Sequence, residues 1–272
     1  MAAISGLIRV MEKAARKAGN KLRRDFGEVE HLQVSQKGPS DFVSKADQVS
    51  ERTLYDELLA ARPGWGFVLE EGGVIEGEPG QPRWIIDPLD GTSNFLHGIP
   101  HFAISIAAQE PKLDRSGWGD VIAGVVYNPI TDETFWAEKT RGAWLQDKRL
   151  RVSGRRHLSE ALIATGIPYG GHGDFGEWAR IFGAIGPQVA GIRRFGAASL
   201  DLAWVAAGRF DGFWESDLAD WDTAAGILIV REAGGFVSDY RGRSAPILQK
   251  QVLAANDALH SRLHKILAGA LK

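Results

Sequence analysis

Residues 83–102 read RWIIDPLDGTSNFLHGIPHF, and this stretch determines how the rest of the chain is interpreted. It begins with Trp84, Ile85 and Ile86, a short apolar run typical of a strand that is buried on both faces. The run ends in two aspartates, Asp87 and Asp90, with a proline and a leucine between them. Because proline fixes its own φ and disfavours helix in the residue before it, we expect the chain to turn here.

The two aspartates allow two interpretations. Carboxylates at the end of an apolar run are costly to bury unless something compensates their charge. The turn can point Asp87, Asp90 and the Leu89 carbonyl at one centre, and oxygen ligands of this kind suit magnesium or manganese better than zinc. Gly91 and Thr92 then present backbone N–H groups where a new helical turn can start, which is a natural site for a phosphate. The alternative is a turn whose aspartates only cap backbone donors, and this stretch alone favours neither interpretation.

The composition is that of an ordinary globular chain. Its 272 residues are 44% hydrophobic and 24% charged, and none is a cysteine, which excludes thiol catalysis, disulfides and thiolate metal sites. A net charge of −2 gives no general attraction to nucleic acid or anionic membranes. No apolar run approaches the roughly 20 residues that span a bilayer, and charged residues interrupt any signal-peptide core at the N-terminus. We therefore expect a cytoplasmic protein with neither a membrane nor a nucleic acid as partner.

Acids recur at the ends of apolar runs. Glu70 follows Leu69, Asp87 follows Ile86 and Glu215 follows Trp214, and ligand sites in α/β proteins lie at such strand ends. Asp222 precedes an apolar helix predicted over residues 224–233, where an N-cap belongs. Asp47 stands three positions after Ser44, as in a capping box that opens a helix ending at residue 61. Taken alone, the last two aspartates are best explained as caps.

The remaining pattern alternates helices and strands. Residues 4–26 have the spacing of an amphipathic helix. Further strands are expected over residues 65–69, 103–108, 121–127, 133–137, 143–145, 162–167 and 209–215, and further helices from residue 177 and over 196–207. A basic cluster between Lys148 and Arg156 has no aromatic residues among its charges, which favours a solvated strand edge. Residues 171–176 match G-x-G-x-x-G, but no acid follows at the Rossmann spacing, so a flexible loop is expected.

Several motifs together resemble one family. WIIDPLDGTSNF and WDTAAGILIVREAGG, preceded by DFVSKAD and LEEGG, resemble the inositol monophosphatase family of magnesium-dependent, lithium-sensitive phosphatases, and the resemblance covers essentially the whole chain. It implies α+β and α/β halves in an αβαβα layered sandwich of the sugar-phosphatase type. The first half, residues 1–152, would carry most metal ligands, and the second, residues 153–272, would carry Asp222 and the substrate-lining residues. Homodimers are usual in this family.

The same resemblance implies the site residues. Two magnesium ions, or manganese as a substitute, would be held by Glu70, Asp87, the Leu89 carbonyl, Asp90 and Asp222, with Asp87 bridging them. Asp47 and Thr92 would orient the attacking water on the ion held by Glu70. Asp47 would also help to hold a third, looser ion, near Lys37 of a mobile loop. The substrate-lining residues would be Gly91, Thr92, Thr165, Gly196, Ala197, Ala198 and Glu215. Two departures from the family pattern are Ser93 in place of threonine and Leu69 in place of glycine.

The implied function is hydrolysis of a phosphate monoester, with inositol 1-phosphate as the first candidate substrate. The same chemistry on fructose 1,6-bisphosphate, 3′-phosphoadenosine 5′-phosphate or histidinol phosphate is an alternative. Another is a regulatory binding protein that keeps the fold and acts through the basic residues 148–156. An aspartyl-phosphate phosphatase would need D-x-D-x-T/V, and the segment starting at Asp220 has Ala224 in the last place.

Overall fold

The computed structural model describes residues 4–26, 34–38, 41–112, 114, 117–168, 173–244 and 250–271, with the backbone alone for 34–38 and 41–44. The side chain of Lys37 and residues 171–172 of the predicted loop therefore lie outside the described residues. The helices are α1 (Gly6–Phe26), α2 (Lys45–Ala61), α3 (Thr92–Leu96), α4 (Phe175–Ile185), α5 (Ala198–Ala206), α6 (Asp220–Glu232) and α7 (Asp257–Ala270).

All the predicted strands are present, and the structure adds several strands that the sequence analysis did not predict. They are β1 (Val34–Gly38), β2 (Asp41–Ser44), β3 (Gly66–Leu69), β4 (Gly73–Ile75), β5 (Arg83–Asp90), β6 (Ala103–Pro111), β7 (Trp118–Asn128), β8 (Glu133–Glu138), β9 (Gly142–Leu145), β10 (Lys148–Arg149), β11 (Leu162–Thr165), β12 (Gly191–Arg193), β13 (Gly212–Ser216), β14 (Phe236–Ser238) and β15 (Gln251–Ala255). Short 3₁₀ turns cover Leu158–Glu160 and Gly186–Gln188.

Two sheets form the framework. The larger has eight strands in the order β10-β9-β8-β7-β6-β5-β3-β4, and β3 and β5 are its parallel neighbours. The smaller has five strands in the order β12-β11-β13-β15-β14, where β11 is parallel to both β12 and β13. Strands β1 and β2 pair separately as a hairpin.

Helices and sheets stack in five layers. Helices α1 and α2 pack on each other and on strands of the larger sheet. Helices α5 and α6 contact strands of both sheets and so form the middle layer, while α4 and α7 pack together beyond the smaller sheet. This confirms the αβαβα sandwich. The division near Val152 stays a prediction, since the middle helices of the second half cover the sheet of the first.

The core follows from this layering. In α1 the residues Ile8, Met11, Ala15, Ala18 and Leu22 are buried on one stripe, as their spacing predicts. Helix α6 is instead buried at every residue from 223 to 230, because a middle-layer helix has a sheet on each side. None of the described helices is both long and apolar enough to cross a membrane.

The predicted turn at Asp87 was wrong, because β5 continues through Asp90. Its pairing with β6 shifts register here: Asp87 faces Ser105 and Asp90 faces Ala103, so the longer segment bulges. On the other side, β3 ends opposite Ile86, so the missing N–H of proline at position 88 costs no ladder hydrogen bond. The chain therefore carries both aspartates on a bulged strand, and a new helix does begin at Thr92 as expected.

Candidate active site

The predicted acids lie where strand ends of the two sheets meet the first turns of α3, α5 and α6. Asp87 is 2% exposed, and its Oδ1 accepts a hydrogen bond from the Leu89 N–H at 2.9 Å. Burial raises the pKa of Asp87 well above its ordinary value, and the carboxylates of Glu70, Asp90 and Asp222 raise it further. The structure therefore brings these four acids into one electrostatic cluster, although they are far apart in sequence.

Asp90 joins the larger sheet to the middle helices. Its Oδ2 accepts hydrogen bonds from the Ser199 N–H at 2.8 Å and from the Ser199 hydroxyl at 2.5 Å. Burial raises the pKa of Asp90, while these bonds and the amides of Ala198 and Leu200 oppose that rise. Asp90 thus caps the first turn of α5, and it also engages the amide of Ala198, one of the predicted substrate-lining residues. Sequence reasoning missed Ser199, whose partner is 109 positions away.

Asp222 caps a helix, but not from the predicted position. The N-cap of α6 is Ala219, and Asp222 is the third residue of the helix. Its Oδ2 accepts a hydrogen bond from the Ala219 N–H at 2.7 Å. Burial, and then the charge of Asp90, raises the pKa of Asp222 to about 8. Asp222 therefore both caps α6 and belongs to the acid cluster.

Asp47 and Thr92 are in contact, as the family resemblance implies. The Thr92 hydroxyl lies 3.0 Å from Asp47 Oδ1 and 3.1 Å from the Leu89 carbonyl oxygen. Asp47 is 1% exposed and is the third residue of α2, while the side chain of Ser44, its predicted capping partner, is outside the described residues. A buried carboxylate, a hydroxyl and a carbonyl therefore meet beside the acid cluster.

Gly91 sits where two loops approach each other closely. It adopts φ 93°, which favours glycine, and it precedes the first residue of α3. A Cβ at this position would lie 3.1 Å from the His101 carbonyl oxygen and 3.3 Å from Ala197 Cβ. The Asn94 side-chain amide ties the same loops together, since it donates to the carbonyls of His101 and Phe195 at 2.7 Å each. The predicted residues Gly91, Gly196 and Ala197 are therefore neighbours.

Glu215 forms the wall of the site next to the smaller sheet. A Cβ at Gly166 would lie 1.8 Å from Glu215 Oε1, so a larger residue here would displace this carboxyl group. Burial, and then the charge of Asp90, raises the pKa of Glu215 to about 8, while Arg194 opposes the rise. Thr165, which precedes Gly166, is 1% exposed, and its hydroxyl accepts a hydrogen bond from the Trp178 indole. Gly166 and Arg194 were not predicted, because nothing local in the sequence marks them.

A second buried acid close to the site was also missed. Asp201 of α5 is 1% exposed, and burial followed by the charges of Glu215 and Asp90 raises its pKa well above the ordinary value. His101 Nε2 lies 3.9 Å from Asp201 Oδ1, and burial lowers the pKa of this histidine to about 4. Burial therefore disfavours the charged form of both side chains.

The acidic side chains do not form a complete metal-coordination site in this conformation. Among the described residues, no three carboxylate or histidine side chains converge closely enough to hold a metal ion as they stand. Asp90 and Asp222 each have one carboxylate oxygen engaged by a backbone N–H at a helix start. The metal ligands named from the sequence are neighbours with the right donor chemistry, and their role as ligands stays a prediction.

Comparison with known proteins finds similar sequences and a similar solved structure. The sequence model of the inositol monophosphatase family matches residues 4–272. The inositol-1-monophosphatase of Rhizobium meliloti is 52% identical over 263 residues, which cover 97% of this chain and 96% of that protein. The Nus factor SuhB of Pseudomonas aeruginosa is 43% identical over 255 residues, which cover 92% and 91%. The crystal structure of the extragenic suppressor protein suhB of Bartonella henselae superimposes with a TM-score of 0.91 at 51% identity, over 97% of this chain and 98% of that one.

Proposed function

This chain belongs to the inositol monophosphatase family and is a phosphoric monoester hydrolase, and we propose that it converts inositol 1-phosphate to inositol and phosphate with magnesium as cofactor. One observation carries the proposal: Asp87 is buried within β5, close enough to Glu70, Asp90 and Asp222 for their charges to raise its pKa. A relative that is 52% identical over nearly the whole chain is named for the same reaction.

The donor chemistry fits magnesium. Carboxylate oxygens of four acids and the Leu89 carbonyl are hard ligands of the type that magnesium prefers. Carboxylates that raise one another's pKa in a buried site are stabilised by a cation of high charge. Glu70, Asp87, Asp90, Asp222 and the Leu89 carbonyl would hold two ions, with Asp47 near a third. When bound, magnesium supplies the positive charge that neutralises the phosphate dianion and acidifies water.

The attacking water is oriented by Thr92 and Asp47. The Thr92 hydroxyl has one proton, and donating it to Asp47 Oδ1 at 3.0 Å leaves an oxygen lone pair to accept a water proton. Asp47 then takes the Thr92 proton as the water loses its own, so the pair acts as a short proton relay. Because this pair lies beside the acid cluster, the water can attack the phosphorus in line, and no covalent intermediate on the protein is needed.

The substrate is held by residues around the same cluster. The Gly91 and Thr92 amides would bind phosphate oxygens. Gly196 and Ala197 lie against Gly91. Glu215 faces this space from β13, where its carboxyl group can exchange hydrogen bonds with the hydroxyls of a polyol. Phosphate release from inositol 1-phosphate, compared with the three alternative esters, tests this assignment. Faster turnover of any one of those esters would replace inositol 1-phosphate as the substrate.

A binding role is a second candidate, since a relative 43% identical is named Nus factor SuhB. In this chain the basic residues of the predicted strand edge are all exposed: Lys148, Arg149, Arg151, Arg155 and Arg156. We propose that this basic face binds an acidic macromolecule. Capture from lysate at low and moderate salt should weaken in the double variant R151E/R156E, while phosphate release stays unchanged. Equal capture by the wild type and the double variant would contradict binding through this basic face.

Homodimer formation and a cytoplasmic location also remain proposals. They rest on the family resemblance and on the composition, which has no cysteine. Light scattering of the purified chain and fractionation of cells that express it would test them directly.

A further inference from the structure

Ser50 of helix α2 contacts the bulged strand that carries the predicted metal ligands. Its side chain is buried, and its hydroxyl donates a hydrogen bond to the Pro88 carbonyl oxygen at 2.8 Å. The peptide unit between Pro88 and Leu89 is also held at its other end, because the Leu89 N–H donates to Asp87 Oδ1 at 2.9 Å. Two hydrogen bonds and one peptide unit therefore connect the Ser50 hydroxyl to the Asp87 carboxylate.

The bulge explains why this peptide unit depends on side chains. Among the described strands, β6 shifts register between its partners Asp87 and Asp90, and β3 ends opposite Ile86. A buried backbone carbonyl or N–H without a hydrogen bond is costly, so a group outside the strand ladder has to bind each one. Ser50 binds the carbonyl, and the Asp87 carboxylate accepts from the N–H. The orientation of the carboxylate therefore depends on a peptide plane that Ser50 holds from the opposite side.

Helix α2 is itself fixed against the site on both sides of Ser50. Asp47 and Glu51 are buried and share a face of the helix with Ser50, since they lie three positions before it and one after it. The Thr92 hydroxyl lies 3.0 Å from Asp47 Oδ1. The Glu51 carboxylate accepts a hydrogen bond at 2.8 Å from the N–H of Glu71, which directly follows a predicted metal ligand. One face of α2 thus contacts three segments of the site, which sets the position of Ser50 relative to the bulge.

We propose that Ser50 is a positioning residue for the metal site: its hydroxyl fixes the peptide plane that orients the Asp87 carboxylate, and so increases the affinity of the site for a divalent cation. A hydrogen bond accepted by the peptide carbonyl also polarises the N–H of the same unit, which strengthens its bond to the carboxylate. Removing a group that orients a metal ligand commonly lowers metal affinity by about tenfold or more. The inference rests on the proposed metal-dependent function, since it concerns how tightly the site binds its cation.

The test measures Mn²⁺ binding to the metal-free chain, with free Mn²⁺ followed by electron paramagnetic resonance. In Ser50→Ala the apparent dissociation constant for Mn²⁺ should rise about tenfold, at the lower end of the usual range because the effect acts through one peptide unit. The magnesium concentration that gives half-maximal turnover of inositol 1-phosphate should rise by a similar factor. The kcat at saturating magnesium should stay within about twofold of the wild-type value, since bound metal restores the orientation of the ligand.

Two further variants make the result specific to Ser50. Thr53→Val is the matched control, because Thr53 is also buried on α2 but its hydroxyl donates to the Val49 carbonyl of the same helix and accepts from Lys21. This control should bind Mn²⁺ as the wild type does, even where it melts at a lower temperature. Ser50→Cys keeps the size of the side chain with a weaker donor and should raise the dissociation constant by about two- to threefold. It replaces Ser50→Ala in the test if the alanine variant does not fold.

The outcomes separate this inference from the function on which it rests. If the wild type binds Mn²⁺ and turns over the ester, and both Ser50 variants bind Mn²⁺ equally well, the positioning role is wrong and the proposed function stands. A lower melting temperature of Ser50→Ala in EDTA would then show that its hydrogen bond only stabilises the fold. An equal loss of affinity in Thr53→Val would assign the effect to α2 as a whole and overturn the role of Ser50. Full turnover by the metal-free wild type would overturn both proposals together.

Discussion

The buried carboxyl group of Glu215 makes stability depend on pH in a direction that can be worked out. Burial first, and Asp90 second, raises the pKa of Glu215 from 4.5 to about 8. Between these two pH values the folded chain keeps a proton that the unfolded chain has lost. Proton binding by the folded state alone makes the free energy of unfolding fall as pH rises. The stability associated with the neutral carboxyl group is therefore complete below pH 4.5 and lost by about pH 8.

Glutamine has the same shape as glutamate and no charge to bury. The variant Glu215→Gln should therefore keep the free energy of unfolding that the wild type loses as pH rises. A pKa difference of this size corresponds to an upper limit of about 5 kcal/mol at high pH, since each unit of pKa is worth about 1.4 kcal/mol. The side chain is only partly shielded from solvent and can relax toward water, which lowers the value. We expect the variant to be more stable than the wild type by about 2 kcal/mol at pH 8.5 and by under about 1 kcal/mol at pH 5.5.

Urea unfolding followed by tryptophan fluorescence, in excess EDTA at both pH values, measures this difference. Glu76→Gln is a matched control, because Glu76 is exposed and its carboxyl group stays in water in the folded and unfolded states. The control should show the same stability relative to the wild type at both pH values. If Glu215→Gln also shows no change between pH 5.5 and 8.5, or loses stability at the higher pH, the carboxyl group is not held neutral by burial and the reasoning fails.

Three further predictions concern the acid cluster. Turnover should stop in excess EDTA and return when magnesium is added, and lithium should inhibit; full activity in EDTA would rule out the metal scheme. Asp222→Asn and Asp90→Asn should each lower kcat by orders of magnitude without lowering the melting temperature, since the asparagine side-chain oxygen can accept the same N–H hydrogen bonds and leaves no charge to bury; near-normal activity of Asp222→Asn would mean that it only caps α6. Ser199→Ala removes the 2.5 Å hydrogen bond to buried Asp90 and should lower the free energy of unfolding by about 1–3 kcal/mol in urea; an unchanged value would show that this contact does not stabilise α5.

Local pattern alone determined much of the fold. The stripe of Ile8, Met11 and Leu22 predicts α1, and the apolar run before Asp87 predicts a buried strand, because helical and strand periodicities are set within a few residues. The long motifs around Asp87 and Asp222 identified the family and the layered architecture; the family comparison confirmed the first, and the structure and its solved relatives confirmed the second. The same motifs named the four acids that the structure brings into one cluster.

The tertiary structure decided what those residues do for each other. Asp90 meets Ser199, 109 positions later, only because α5 packs between the two sheets. Gly166 lies beneath the Glu215 carboxyl group only because β11 and β13 are parallel neighbours. The bulge between Asp87 and Asp90 exists only in the pairing of β5 with β6, which the DPLD sequence by itself does not specify. Periodicity and turn chemistry act between residues that are close along the chain, whereas these contacts depend on how distant layers pack, so the sequence could name the acids of the site but not the groups that position them.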